Sequence, residues 1–217
     1  MPNKLNNLKQ ILDKIRKELR NKDEIRETTQ KQMHTMQSYS KQAILLIHQK
    51  RTKEADTLLK KAQKIHAKLD DASTTQPSII YCGLYSAALQ EYSEAKIIYT
   101  LTLESRFIAP EEINVAPVDY ILGLADVIGE YRRLALDSLR IGDAQKSERH
   151  LQTMDEIYTE LMAMDESYML VPGLRRKCDV ARKIIEITRG DITQEIRRNV
   201  LEKHLRKFET LQKKKQT

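Results

Sequence analysis

Four acidic side chains, two on each of two predicted helices, carry the clearest chemistry in this sequence. Glu91 and Glu94 stand in the run LQEYSEA, Leu89 to Ala95, and Asp126 and Glu130 in the run PVDYILGLADVIGE, Pro117 to Glu130. Their spacings are i,i+3 and i,i+4, so each pair shares one face of its own helix. Both runs are otherwise rich in apolar residues. An ionised carboxylate beside a core is costly unless a positive charge compensates it, and a divalent metal does so directly. Packed side by side, the two helices would gather an all-oxygen cluster of the kind Mg²⁺ prefers. Mn²⁺ is the alternative occupant. Such clusters hydrolyse phosphodiesters.

The elements that must position these acids are helices. The chain has 217 residues with only six glycines and five prolines; no proline lies between Pro2 and Pro77, and no glycine precedes Gly83. Long helices tolerate so little punctuation. Leu5, Leu8, Ile11, Leu12, Ile15 and Leu19 recur at helical spacing, and Ile25, Met33, Met36, Ala43, Ile44 and Ile47 continue the pattern after a bend near residues 21–23. Thr52 suits an N-cap for a helix through Leu58, Leu59, Ala62, Ile65 and Leu69. A polar run before Pro77 leads to the most apolar helix, about Ser78 to Phe107, which carries Glu91 and Glu94. Pro117 opens the helix of Asp126 and Glu130, and Gly142 closes it. A further helix covers about Asp143 to Met164, and Pro172-Gly173 start a last long segment, interrupted near Gly190. No alternating strand pattern and no internal repeat occur. The pattern predicts an all-α fold, a bundle of about seven helices.

Composition narrows the function classes. A formal charge of +7 suits an anionic partner. Cys82 and Cys178 lack any CxxC spacing and read as buried apolar residues in a reducing compartment. Met1 to Leu12 is too polar for a signal peptide, and no apolar stretch is long enough to span a membrane, so the expected location is cytoplasmic. None of the five histidines follows a Glu at three residues, which disfavours a di-iron bundle site. There is no GxSxG, P-loop or GxGxxG, so nucleophilic hydrolases, nucleotide-driven motors and dehydrogenases lack support.

Candidate RNA contacts are basic. Lys60, Lys61, Lys64 and Lys68 lie along one helix, with Lys60, Lys64 and Lys68 in an i,i+4 row; Arg132 and Arg133 follow Glu130; Arg175, Arg176 and Lys177 open the last helix. Each group can bind phosphate without reading sequence, and each is also compatible with an ordinary solvated face. Tyr92, Tyr120 and Tyr131 adjoin the acids and are candidates either for stacking on bases or for the core.

At the acidic runs the sequence resembles the translin family, and more closely its translin-associated factor X branch. The residues that carry this are Gln90-Glu91-Tyr92-Ser93-Glu94-Ala95, Pro117-Val118-Asp119-Tyr120 through Gly123, Ala125-Asp126 and Gly129-Glu130, within a helical pattern compatible from about Asp23 to Gly190. The resemblance implies a seven-helix α fold, a closed oligomer around a chamber (eight subunits by analogy) and binding of single-stranded nucleic acid. It implies a Mg²⁺-dependent endoribonuclease, because the translin branch has non-acidic residues at the positions of Glu91, Glu94 and Asp126. Glu130 matches an acid of both branches. The family's catalytic branch usually works with a translin partner. Ser78 to Ala88 contains no basic residue, whereas translin uses basic residues there for nucleic acid.

The expected organisation is a translin-like helical domain over residues 1–190, followed by a basic amphipathic helix or tail over 191–217. That tail holds eight Lys or Arg against four Asp or Glu. The expected function is Mg²⁺-dependent cleavage of single-stranded or unpaired RNA, with Glu91, Glu94 and Asp126 as catalytic metal ligands and Glu130 as ligand or neighbouring support. The rival is a non-catalytic oligomeric scaffold for single-stranded nucleic acid.

Overall fold

A computed structural model describes residues 4–164 and 168–215, with side chains described over 6–164 and 168–211. Among the described residues there are seven α-helices and one 3₁₀ turn, and no strand. The helices are α1 (Lys4–His48), α2 (Thr52–Thr75), α3 (Pro77–Ile80), α4 (Gly83–Glu104), α5 (Pro117–Arg140), α6 (Ala144–Met162) and α7 (Leu174–Lys215); the 3₁₀ turn is Pro110–Ile113. The expected all-α architecture is present. No described helix is long and apolar enough to cross a membrane.

The chain forms two units, Met1–Tyr120 and Ile121–Thr217, with the boundary inside α5. The first unit packs α1 against both α2 and α4, and α2 against α4. One seam of α1 explains the packing. Thr29, Met33, Met36, Ser40, Ala43 and Ile47, spaced alternately four and three residues apart, are all buried, which is the spacing that keeps one helical face turned to its neighbours. The buried hydroxyls on this seam are satisfied locally: Thr29 donates to Ile25 O and Ser40 to Met36 O. The seam continues towards the N-terminus through Leu8, Leu12, Ile15 and Leu19, but there it is about half exposed. Leu5 of the expected stripe lies outside the described side chains.

α2 answers with Ala55, Leu59, Ala62, His66 and Leu69. His66 is buried, with Nε2 2.7 Å from Asn114 O and Nδ1 3.0 Å from the Tyr85 hydroxyl. A carbonyl only accepts, so Nε2 carries the proton and Nδ1 accepts from Tyr85. This clamps the left-handed Asn114 (φ 53°) that ends the 3₁₀ turn onto α2 and α4.

The second unit packs α6 on α7. Leu151, Met154, Ile157 and Leu161 of α6 meet the buried stripe Leu174, Cys178, Ala181, Ile185, Thr188 and Ile192 of α7. Gly142 (φ +79°) ends α5 as expected, and the Asp143 carboxylate caps α6 by accepting from Lys146 N at 2.9 Å. Ser147 Oγ donates to Ala135 O at 2.9 Å, tying α6 to α5.

Three local expectations are corrected. The helix expected from Ser78 to Phe107 is divided, because Cys82 adopts an extended conformation between α3 and α4, and α4 stops at the left-handed Ser105. Thr52 is the first helical residue rather than the cap; Arg51 precedes it and clamps the first turn by forking onto Glu54 at 2.6 and 2.7 Å. α7 runs without interruption through Gly190 and Asp191. A helical glycine costs only about 1 kcal/mol, and the buried stripe from Ile185 to Ile192 crosses it on one face.

Candidate carboxylate site and nucleic-acid surface

Glu91 and Glu94 sit mid-helix on α4, which is buried nearly all round: Tyr92, Ser93, Ala95, Ile97 and Ile98 are all inaccessible. Glu94 is itself buried, 8% exposed, and the Glu91 side chain is 19% exposed. Lys41, reaching from α1, places its ammonium 3.7 Å from Glu91 Oε2. One turn earlier, Ser86 donates to Asp119 Oδ1 at the start of α5, and Gln90 donates to Ser86 Oγ at 3.1 Å. That carboxylate lies where the positive end of α5 favours it.

Asp126 and Glu130 occupy α5 within the second unit. Asp126 forms an ion pair with Lys177 at the start of α7, and the same ammonium donates to Leu122 O at 3.2 Å. The pair is partly shielded, with side chains 27% exposed for Lys177 and 41% for Asp126. It borders a cavity of about 460 Å³ lined by Ala125, Asp126, Gly129, Gly173, Arg176 and Lys177, with aliphatic residues of α7 behind.

Each unit therefore holds one of the two acidic pairs. Within neither unit do three or more His, Cys, Asp or Glu side chains gather into a metal-holding group among the described residues. What both units show is a carboxylate in partial shelter matched to a lysine ammonium. Lys177 was legible as a basic residue but not as the partner of Asp126, and Lys41 carried no sequence signal at all. Both pairings depend on contacts between residues about 50 positions apart.

The basic candidates separate by surroundings. Lys60, Lys61, Lys64 and Lys68 are all exposed on α2. Lys60 pairs with Asp56 at 2.6 Å, and the Lys61 ammonium lies 5.7 Å from the Tyr39 ring centre. Lys64 and Lys68 flank the same outward face. Arg133 is exposed, whereas Arg132 is half-buried with its Nε enclosed and without a hydrogen-bond partner among the described residues. Two of the three tyrosines next to the acids, Tyr92 and Tyr131, belong to the core. Tyr92 is inaccessible, Tyr131 is 9% exposed, and Tyr120 donates to Ile108 O at 2.6 Å. Burial raises the Tyr131 phenol to about 12 and pushes Tyr92 up as well. Burial excludes base stacking on Tyr92 and Tyr131, while Tyr120 is only part-buried and is held by its hydroxyl.

A family model for the translin family matches residues 10–187, spanning all of α2 to α6 and most of α1. The chain belongs to the translin family. The chain is similar to an uncharacterized protein of Methanocaldococcus jannaschii, MJ0175, 32% identical over 192 residues, covering 88% of this chain and 85% of that protein. Among solved structures, AfC3PO in complex with duplex RNA is 34% identical, with a TM-score of 0.77 over 87% of this chain and 98% of that one. AfC3PO alone is 35% identical over the same shares, also with a TM-score of 0.77. Apo-NeC3PO, 23% identical with a TM-score of 0.75 over 90% and 98%, shares the fold. The part of α7 beyond residue 187 lies outside the family match.

Proposed function

We propose that this translin-family protein is a Mg²⁺-dependent endoribonuclease of the translin-associated factor X type, acting on single-stranded or unpaired RNA in a cytoplasmic homo-oligomer. Eight subunits follow by family analogy, and a translin-like partner is the alternative second component. The observation that supports the reading is the shelter of the acids themselves. Glu91 and Asp126 each sit in partial shelter against a lysine ammonium, and Glu94 is buried in a largely apolar helix. Carboxylate oxygens in such surroundings fit Mg²⁺ or Mn²⁺. A cation held by Glu91, Glu94 and Asp126, with Glu130 as ligand or support, would polarise a phosphoryl oxygen and lower the pKa of an attacking water.

The chain's own residues hold and orient. α4 fixes Glu94 among buried side chains, so its carboxylate cannot change rotamer without disturbing the core, and holds Glu91 one turn away at the edge of that core. Arg133 and the lysines of α2 supply charge for the RNA backbone without base preference. RNA as the class of partner is supported by the similarity to AfC3PO, whose structure holds duplex RNA.

The same lysine pairs also fit the rival, a binding scaffold without turnover, in which Lys41 and Lys177 serve as the counter-charges of Glu91 and Asp126 in place of a metal. The deciding experiment incubates end-labelled single-stranded and duplex RNA with the protein in Mg²⁺, Mn²⁺ or EDTA. Internal cuts in the single strand that require the cation support the nuclease. RNA retained intact under all three conditions supports the scaffold.

A further inference from the structure

We propose that Lys177 is a phosphate-binding residue held in reserve by Asp126, released to an RNA phosphate when the charge on Asp126 is balanced by something else. The inference deepens the reading of this chain as an RNA-binding translin-family protein and rests on it for the class of ligand. Lys177 stands in the first turn of α7, a helix of 42 residues that begins just after Gly173, itself on the cavity wall. The cavity wall bears two cations, Arg176 and Lys177, and a single acid, Asp126. Its volume of about 460 Å³ is that of a small-ligand site. Gly129 and Gly173 contribute no side chain to the wall, and a Cβ at either position would meet open space. Without Asp126 this is an anion-seeking pocket.

With Asp126 ionised and otherwise unbalanced, the Lys177 ammonium spends two of its three N–H groups on Asp126 and on Leu122 O. A phosphate offered to the pocket then meets a neutralised lysine and a carboxylate that repels it. A divalent cation at Asp126 would take over the balancing of that charge, leaving the Lys177 ammonium to serve a phosphate together with Arg176. By linkage, cation and RNA would then favour each other's binding through Lys177.

The test is made in EDTA, so that cleavage plays no part. Binding of a single-stranded RNA oligonucleotide is measured against salt concentration for the full-length parent, Asp126→Asn, Asp126→Asn with Lys177→Met, and Asp126→Asn with Lys177→Arg. Removing the Asp126 charge frees Lys177, so D126N binds several-fold tighter at low salt. Its log–log salt slope steepens by about 0.7, one phosphate contact to a single strand. The double variant with Met returns the slope to the parent value, while the variant with Arg keeps it steep and guards against a folding defect. An unchanged slope in D126N, or a steepening that survives Lys177→Met, overturns the proposal. If the parent binds RNA but fails to cut it in Mg²⁺, the nuclease reading falls and the salt slopes still decide the role of Lys177.

Discussion

Lys41 of α1 and Glu91 of α4 approach to 3.7 Å, with the lysine largely in solvent and the glutamate mostly sheltered. The cation is therefore replaceable while the anion is fixed. Lys41→Met should lower the melting temperature slightly in EDTA, since a partly exposed pair contributes at most about 1 kcal/mol. Adding Mg²⁺ should raise it by more in the variant than in the parent, because one cation competing for Glu91 has been removed. Scanning calorimetry with and without the cation measures both shifts; equal Mg²⁺ responses in the two proteins would contradict a cation role for Glu91.

Removing a ligand oxygen should be costly to turnover. Glu91→Ala, Glu94→Ala and Asp126→Ala are each expected to lower cleavage by about 100-fold or more, and Glu130→Ala by about tenfold. Helicity by circular dichroism should stay as in the parent. Parent-like cleavage in two of the first three variants would remove the assignment.

The chemistry proposed has a signature in its products. Water attacking phosphorus leaves a 5′-phosphate and a 3′-hydroxyl, whereas attack by the RNA's own 2′-hydroxyl leaves a 2′,3′-cyclic end. Mass spectrometry of the fragments distinguishes them. Cyclic ends would rule out a metal-activated water.

His150 gives the second unit an acid-side weakness. Its pKa is lowered, first by burial and then by Lys146 and Arg149, against an opposing pull from Asp143; its ring and that of Tyr131 meet nearly at right angles, with centroids 5.7 Å apart. The folded protein thus resists a proton that the unfolded chain accepts at its ordinary pKa of about 6.5. Stability is full above that value and falls as the pH drops below it. His150→Phe should flatten the melting temperature between pH 7 and pH 5 relative to the parent. Parallel curves would show that another group carries the loss.

The end of α7 offers a test of assembly. Ile192 is buried, while Leu205, Phe208 and Leu211 are each more than half exposed. Ile196, Val200, Lys203 and Arg206 line a groove with the start of α6, so the helix lies against its own unit as far as Arg206. A chain ending at Lys207, which loses Phe208 and Leu211, should therefore melt like the parent. If the exposed stripe docks a second copy, light scattering will show fewer subunits after truncation. An unchanged mass would confine the stripe to this chain.

How much could be read beforehand depended on the range of the interaction. α1, α5 and α6 were legible because a 3.6-residue apolar period and the Pro117, Gly142 and Asp143 signals are local. The break before α4 was not, since Cys82 is no ordinary punctuation and its extended backbone is set by the packing around it. Gly190 misled for the opposite reason: glycine marks helix ends only where packing does not carry the helix through. The four acids could be found by type and spacing, but their lysine partners arise from helices meeting in space. Tyr92 and Tyr131 resolved to the core because burial, unlike adjacency to Glu91 or Glu130, cannot be counted along a chain.

The long seam of α1 has a mechanical consequence. Leu8 and Met33 lie on one helical face about 37 Å apart along the axis, at 1.5 Å per residue, one half exposed and the other inaccessible. The helix thus acts as a shaft, fixing the compass bearing of its outer stripe to the core that grips its lower half. A single residue inserted near Lys22 would swing that stripe by about 100°, and seven would return it to within about 20°. What the N-terminal stripe faces is thereby set by the count of residues between Leu19 and Thr29, whatever those residues are.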